Sequence, residues 1–243
     1  MPMPLYRRIV DEAATIGVIE SITLHGLGEP LLDPHIVGRV AYAKRVKPSL
    51  GVGIFTNGFL LTPRRFDELR EAGIGYLVVS LNAVAQEQHE RIMGVPGKFD
   101  LVCANIDYAR ANRGDVKLEV HAVANDDQFA IDDIHTFYRR WGHRVFGGIG
   151  QCVREGNWAG ENRILKGFDP NSECGRALTQ MYVMHDGRVS ACCFDPTGKM
   201  VFGDLRTQTI REIYNSDAYL AFRVAHHEDR AAEYEICRGC TRI

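Results

Sequence analysis

Between residues 4 and 149 the apolar residues switch repeatedly between helical and extended periodicity, and this alternation confines the chain to one class of fold. Leu5, Ile9, Ala13 and Ile16 recur at helical spacing ahead of Gly17, which predicts a helix over 4–16. A strand at 21–25 follows and stops at Gly26-Leu27-Gly28-Glu29-Pro30, a turn that cannot continue it. Next come a helix at 35–46, a strand at 52–56 ending on Asn57-Gly58, and a helix opened by Thr62 and Pro63 that runs through Arg70 and closes at Gly73. The nearly continuous apolar run at 76–81 reads as a parallel strand covered on both faces. A helix at 98–112, a strand at 117–123, a helix at 131–141 and a strand at 144–149 complete five helices and five strands. Strict alternation requires crossovers and hence a parallel sheet, open or curled into a partial barrel. The series opens on a helix, which either simply starts an α/β domain or marks the loss of a first strand and its loop.

Past about residue 165 the pattern breaks and cysteines begin. The segments 181–185 and 188–192 flank Asp186-Gly187, a strong hairpin signal, and 209–214 and 218–226 read as short helices. The expected organisation is therefore an α/β domain over 1–165 and a Cys-rich α+β extension over 166–243.

Composition matters mainly for what it excludes. The 243 residues are 45% hydrophobic and 25% charged, with a net charge of −2 and both signs scattered, so nothing suggests a nucleic-acid-binding surface. The sequence shows neither a membrane-length apolar run nor a secretory signal, so a cytoplasmic protein is expected. Of seven cysteines, Cys103 and Cys152 are isolated, and the other five crowd the last third. An odd number without an export signal argues for metal or redox use over disulfides. Cys237-x-x-Cys240 brings two thiolates to one turn, suiting zinc or an iron–sulfur cluster. Cys174 and one member of the Cys192-Cys193 doublet would complete a four-thiolate site, because strand neighbours face opposite sides. The wide separation of Cys174 from Cys192 disfavours a zinc ribbon. Buried unligated thiols suit Cys103 and Cys152 better than they suit the crowded five.

These residues together resemble the radical S-adenosylmethionine (radical SAM) superfamily. The resemblance rests on His25-Gly26-Leu27-Gly28-Glu29-Pro30, Phe55-Thr56-Asn57-Gly58 and Val79-Ser80-Leu81-Asn82-Ala83, one after each of three successive strands, and on Asn157-Trp158-Ala159-Gly160 after the last. The tail, with Cys174, Gly187-x₄-Cys192-Cys193 and Cys237-x-x-Cys240, is similar to the SPASM extension that carries an auxiliary iron–sulfur cluster.

The resemblance implies a partial (β/α) barrel and a SPASM-type domain. It implies that the Gly28-Glu29-Pro30 turn binds SAM, with Gly28 and Glu29 on its amino group, that Ser80 and Asn82 face the ribose or carboxylate, and that Thr56 and Asn57 line the same mouth. Each also has a structural reading, as a turn or a helix cap. The SPASM spacing selects Cys192 over Cys193, so Cys174, Cys192, Cys237 and Cys240 are expected to hold one 4Fe-4S cluster. The family also holds a catalytic 4Fe-4S cluster with Cys-x₃-Cys-x₂-Cys, a motif these residues lack. An N-terminally truncated and catalytically silent chain is therefore expected, with that second cluster present only in a longer chain. The implied function is oxidoreduction: SAM is reductively cleaved and hydrogen is abstracted from a peptide or small-molecule substrate, with electrons from a reductase or flavodoxin-type donor. The alternatives are a non-catalytic iron–sulfur protein and a zinc-stabilised α/β protein.

Overall fold

A computed structural model of the chain describes residues 1–124, 131–143, 147–154, 174–238 and 240. Two compact units emerge, one of Gly17–Glu155 and one of Met1–Ile16 with Gly156–Ile243. The opening helix, α1 (Met3–Thr15), belongs to the second. The expected border at 165/166, and Asn157-Trp158-Ala159-Gly160, lie outside the described residues.

The first unit is built on a parallel sheet of β1 (Ser21–Thr23), β2 (Gly51–Thr56), β3 (Tyr76–Ser80), β4 (Lys117–Ala124) and β5 (Gly150–Arg154), paired in that order. Between strands run α2 (Ile36–Val46), α3 (Pro63–Glu71), α4 (Gln86–Met93), α5 (Phe99–Asn112) and α6 (Ile131–Trp141). Each right-handed crossover steps to the next strand in the same direction, so the helices gather on one face and the other is left to line a partial barrel. Val52, Ile54, Leu77, Val79, Val120 and Ala122 on the helix face are all fully buried. Each of these valine, isoleucine and leucine side chains is worth about 1.5–3 kcal/mol of burial.

Local chemistry explains the boundaries. Thr62 caps α3 by accepting the Arg65 N–H (3.2 Å), Pro63 takes the first helical position, and Gly73 leaves it at φ 90°. The last strand departs from the expected 144–149, residues 144–146 being outside the described set. Gly142 (φ 70°) and Gly147 (φ 83°) are left-handed, Gly148 N–H bonds to His143 O (3.0 Å), and the described strand runs from Gly150. The alternation also misses α4. Its buried positions are Gln88 and His89, which leave no aliphatic stripe to read.

In the second unit β6 (Tyr182–Val183), β7 (Arg188–Ser190) and β8 (Val201–Asp204) form an antiparallel sheet. Gly187 turns the expected hairpin at φ 97°. Around the sheet lie α7 (Gly175–Thr179), α8 (Ile210–Tyr214), α9 (Asp217–His227) and α10 (Glu235–Arg238). Thr209 and Glu212 form a capping box that starts α8. Phe202 stacks on Tyr219 (4.4 Å between centroids, 7°), and Tyr219 and Phe222 are buried. Arg8 of α1 donates to the carbonyls of Arg206 (2.8 Å) and Gln208 (2.9 Å). Among the described residues no helix is long and apolar enough to cross a membrane.

Candidate functional site

The ends of β1 and β2 bring Glu29, Thr56 and Asn57 together. Thr56 Oγ1 donates to Glu29 Oε1 (2.6 Å), Leu31 N–H to the same oxygen (3.0 Å), and Asn57 N–H to Oε2 (2.7 Å). A carboxylate offers about four lone-pair directions, so one remains for an outside donor. Pro30 begins a single 3-10 turn, Pro30–Leu32, that points the Leu31 N–H back at this carboxylate. Nothing lies within 4 Å of where a Gly28 side chain would begin, so its backbone is open to approach.

The Thr-Asn-Gly turn is held from below. Gly58 sits at φ 79°, its N–H on Thr56 Oγ1 (3.1 Å), and Asn105 of α5 donates through Nδ2 to Gly58 O (2.9 Å). Asn57 Oδ1 accepts the Phe59 N–H (3.0 Å). At the end of β3, Ser80 is half-buried beside His121 in register. Asn82 is left-handed (φ 55°); its Oδ1 accepts the Val123 N–H (3.0 Å) and its Nδ2 meets Met93 Sδ (3.7 Å). Asn82 thus ties β3 to β4 by its own polar atoms.

In the second unit one cavity is lined by Cys174, Cys192, Cys237 and Cys240, with Phe222 and His226 beside them. Cys193 is not among its lining residues. Cys174 precedes α7, Cys192 follows β7, and Cys240 N–H bonds to Cys237 O (3.2 Å) in a turn. Four thiols lining one cavity are the donor set that holds an iron–sulfur cluster. Burial pushes the Cys192 thiol up to about 12, against the Phe194 N–H and with help from Cys193, Cys240 and Cys174. Such a thiol ionises when a cationic centre compensates it. Phe194 N–H already points at Cys192 Sγ (3.3 Å), and Cys237 Sγ lies 3.5 Å from His226 Nε2. Burial instead leaves Cys103, in the first unit, as an inert thiol raised to about 11.

The sequence reading passes over three features. Asn105 acts on Gly58 from far along the chain, and Asp195 anchors a local turn that no motif marks. Lys117, Glu119 and His121 stand at every second position of an otherwise apolar parallel strand, the one signal that could have pointed to a polar face.

Residues 2–130 match the family model described as "Radical SAM superfamily", and residues 174–241 match the SPASM "Iron-sulfur cluster-binding domain". The PqqA peptide cyclase of Ruegeria pomeroyi is 34% identical over 279 aligned residues, covering 98% of this chain and 71% of that protein. The AdoMet-dependent heme synthase of Methanosarcina barkeri is 36% identical over 104 residues, which span 43% of this chain and only 29% of that protein. Among solved structures, BtrN in complex with AdoMet and 2-DOIA superposes with a TM-score of 0.68 at 22% identity, over all of this chain and 81% of that one, a likeness of fold. The two matched domains carry with them 4Fe-4S clusters and SAM as cofactors. With one model spanning β1 to β4 of the sheet and the other the residues that line the thiol cavity, the chain belongs to the radical SAM superfamily and carries a SPASM iron–sulfur cluster-binding domain.

Proposed function

We propose that this chain binds SAM at the ends of its parallel strands, holds an auxiliary 4Fe-4S cluster on Cys174, Cys192, Cys237 and Cys240, and serves a hydrogen-abstracting oxidoreductase that acts on a peptide. The observation that carries the reading is the Glu29 carboxylate, oriented by Thr56, Asn57 and Leu31 with one lone pair spare. An α-ammonium group is the donor that position suits, and a charge-assisted bond to it is short and strong. Gly28 and Pro30 shape the turn, while Ser80 and Asn82 flank the same mouth for the ribose or carboxylate. When bound and reduced, the cofactors supply hydrogen-atom abstraction; the chain's residues bind, orient and keep out water. Similarity to a peptide cyclase across 98% of the chain supports a peptide substrate over a small molecule. A reductase or flavodoxin-type protein would supply electrons.

Anaerobic reconstitution followed by equilibrium dialysis with SAM tests this. About four irons and four sulfides per chain are expected, as for one thiolate-held cluster. Glu29→Ala should raise the SAM dissociation constant by roughly tenfold or more, the loss of one charge-assisted hydrogen bond. Unchanged affinity in both Glu29→Ala and Gly28→Val would refute the SAM assignment, and about eight irons would refute the single cluster. Because the 243 residues contain no Cys-x₃-Cys-x₂-Cys, dithionite should yield no 5′-deoxyadenosine from the chain alone.

A further inference from the structure

The face of the sheet turned away from the helices carries its own polar site, distinct from the Glu29 turn. Register places Phe55, Val78 and Glu119 in one row across β2, β3 and β4, and Ser80, His121 and Gln151 in the next row. Paired residues of neighbouring strands point the same way, so these side chains share the lumen face. Ring contacts agree: His25 lies 4.9 Å from Phe55, and Phe55 lies 6.0 Å from His121. His121 Nε2 and Glu119 Oε2 are 2.8 Å apart, with 16% and 24% of their side chains exposed. One row below, Tyr76 makes a floor. Its hydroxyl bonds to Thr23, and its ring occupies the space over Gly53, where a Cβ would stand 2.1 Å away.

Gln151 supplies the independent observation. Its Oε1 is buried and has no hydrogen-bond partner among the described residues. A buried acceptor left unpaired is costly in a folded protein unless a ligand donates to it. On the neighbouring β4 stands the partly desolvated Glu119 carboxylate, and further across the same face, beyond β3, lie the rings of Phe55 on β2 and His25 past the end of β1. Acceptors, negative charge and aromatic faces together describe a cation-recognition site; an anion would meet the carboxylate, and a neutral alcohol would use neither the charge nor the rings. We propose that Glu119, His121 and Gln151 bind an ammonium group of the substrate, a lysine side chain of a peptide or a free primary amine, and seat it against Phe55. This rests on the reading of the chain as a hydrogen-abstracting oxidoreductase and names the substrate class of that enzyme.

The test uses the full chain with ¹³C-labelled histidine, the His121 and His25 ring signals being assigned by single substitutions. Four probes are titrated: n-pentylamine, n-pentanol, pentanoate and an N-acetylated, C-amidated Gly-Lys-Gly tripeptide. The amine and the tripeptide should shift the His121 signal saturably, while pentanol and pentanoate leave it in place. Tighter saturation by the tripeptide identifies a peptide source, and tighter saturation by pentylamine a small amine; each supports the site. Glu119→Gln should weaken amine binding by about tenfold or more, the usual result of losing a charged partner. Gln151→Leu should weaken it while folding normally, since it removes the orphan acceptor. Shifts by pentanoate or pentanol equal to those by the amine, or unchanged amine affinity in both variants, would overturn the proposal. SAM dialysis on the same Glu119→Gln sample keeps the two readings apart. Failure of the Glu29 assignment shows in the SAM isotherm, and failure of the ammonium site shows in the histidine spectrum.

Discussion

Glu29 illustrates how a residue becomes a site: three donors hold its carboxylate in place, so a fourth donor meets an already oriented acceptor. The sequence pointed to it through the family resemblance of Gly28-Glu29-Pro30, whose place after a strand suits a ligand site, while the turn alone could equally have been structural. The alternation of Lys117, Glu119 and His121 marks a polar face, but nothing in the sequence shows that Gln151 stands beside His121. Two substitutions test this scale. Cys192→Ala should lose the cluster and Cys193→Ala retain it, read as iron per chain, because Cys192 and not Cys193 lines the cavity; retention by Cys192→Ala would show the strand register displaced by one. Gly53→Ala should destabilise the first unit by about 1–3 kcal/mol in urea unfolding, as overpacking does. The Gly53→Ala, Tyr76→Leu double variant should recover part of that loss, because the obstruction is the Tyr76 ring. Additive losses would place the strain elsewhere.

At the scale of elements, strands and capped helices were legible wherever burial and turn chemistry coincide, as at Thr62-Pro63 and Asp186-Gly187. They were illegible where polar residues do the packing. α4 is the clearest case: His89 is wholly buried between Phe59 (5.7 Å) and Phe99 (5.8 Å), and among the described residues neither ring nitrogen has a hydrogen-bond partner. Burial holds its pKa below the ordinary 6.5, with Glu90 pulling the other way. The folded chain therefore keeps this imidazole neutral at a pH where the unfolded chain takes up a proton. Stability is unaffected well above 6.5, falls as pH drops through that value, and levels off below the folded-state pKa. Urea midpoints measured from about pH 8 to about pH 5 should fall more steeply for wild type than for His89→Leu; parallel profiles would assign the loss to other groups. The connection between β7 and β8 depends on another buried polar residue. Asp195 accepts from Ser190 Oγ (2.7 Å), Lys199 N–H (2.8 Å) and Met200 N–H (2.9 Å). Asp195→Ala should cost about 2–4 kcal/mol and lower iron retention, since the turn that carries Cys192 loses its anchor. Full iron content in that variant would separate the turn from the cluster.

For the whole molecule, the two units differ in what holds them together, and that difference sets the last prediction. The sheet unit buries continuous aliphatic strands under helices and has a core of its own, which is why alternation alone revealed it. The second unit has short strands, short helices and an aromatic cluster at Tyr219 and Phe222, with a thiol-lined cavity at its side. Its helices at 4–16, 209–214 and 218–226, its hairpin turn and its cysteine spacing were legible; β8 and α7 were not, because neither carries an apolar pattern long enough to read. Small metal-stapled segments take much of their folding free energy from the bound centre. Unfolding should therefore proceed in two steps, as is common when separate cores share a chain. Loading iron and sulfide should raise only the step of the second unit, and chelation should lower it again. SAM should raise the step of the sheet unit by mass action, by about 2.7 kcal/mol at a hundredfold excess over its dissociation constant. Hydrogen exchange followed by peptide mapping assigns each step to its residues. A single transition, shifted equally by iron and by SAM across both sets of peptides, would show that the two cores fold as one, and would place part of the second unit's stability outside its own thiols.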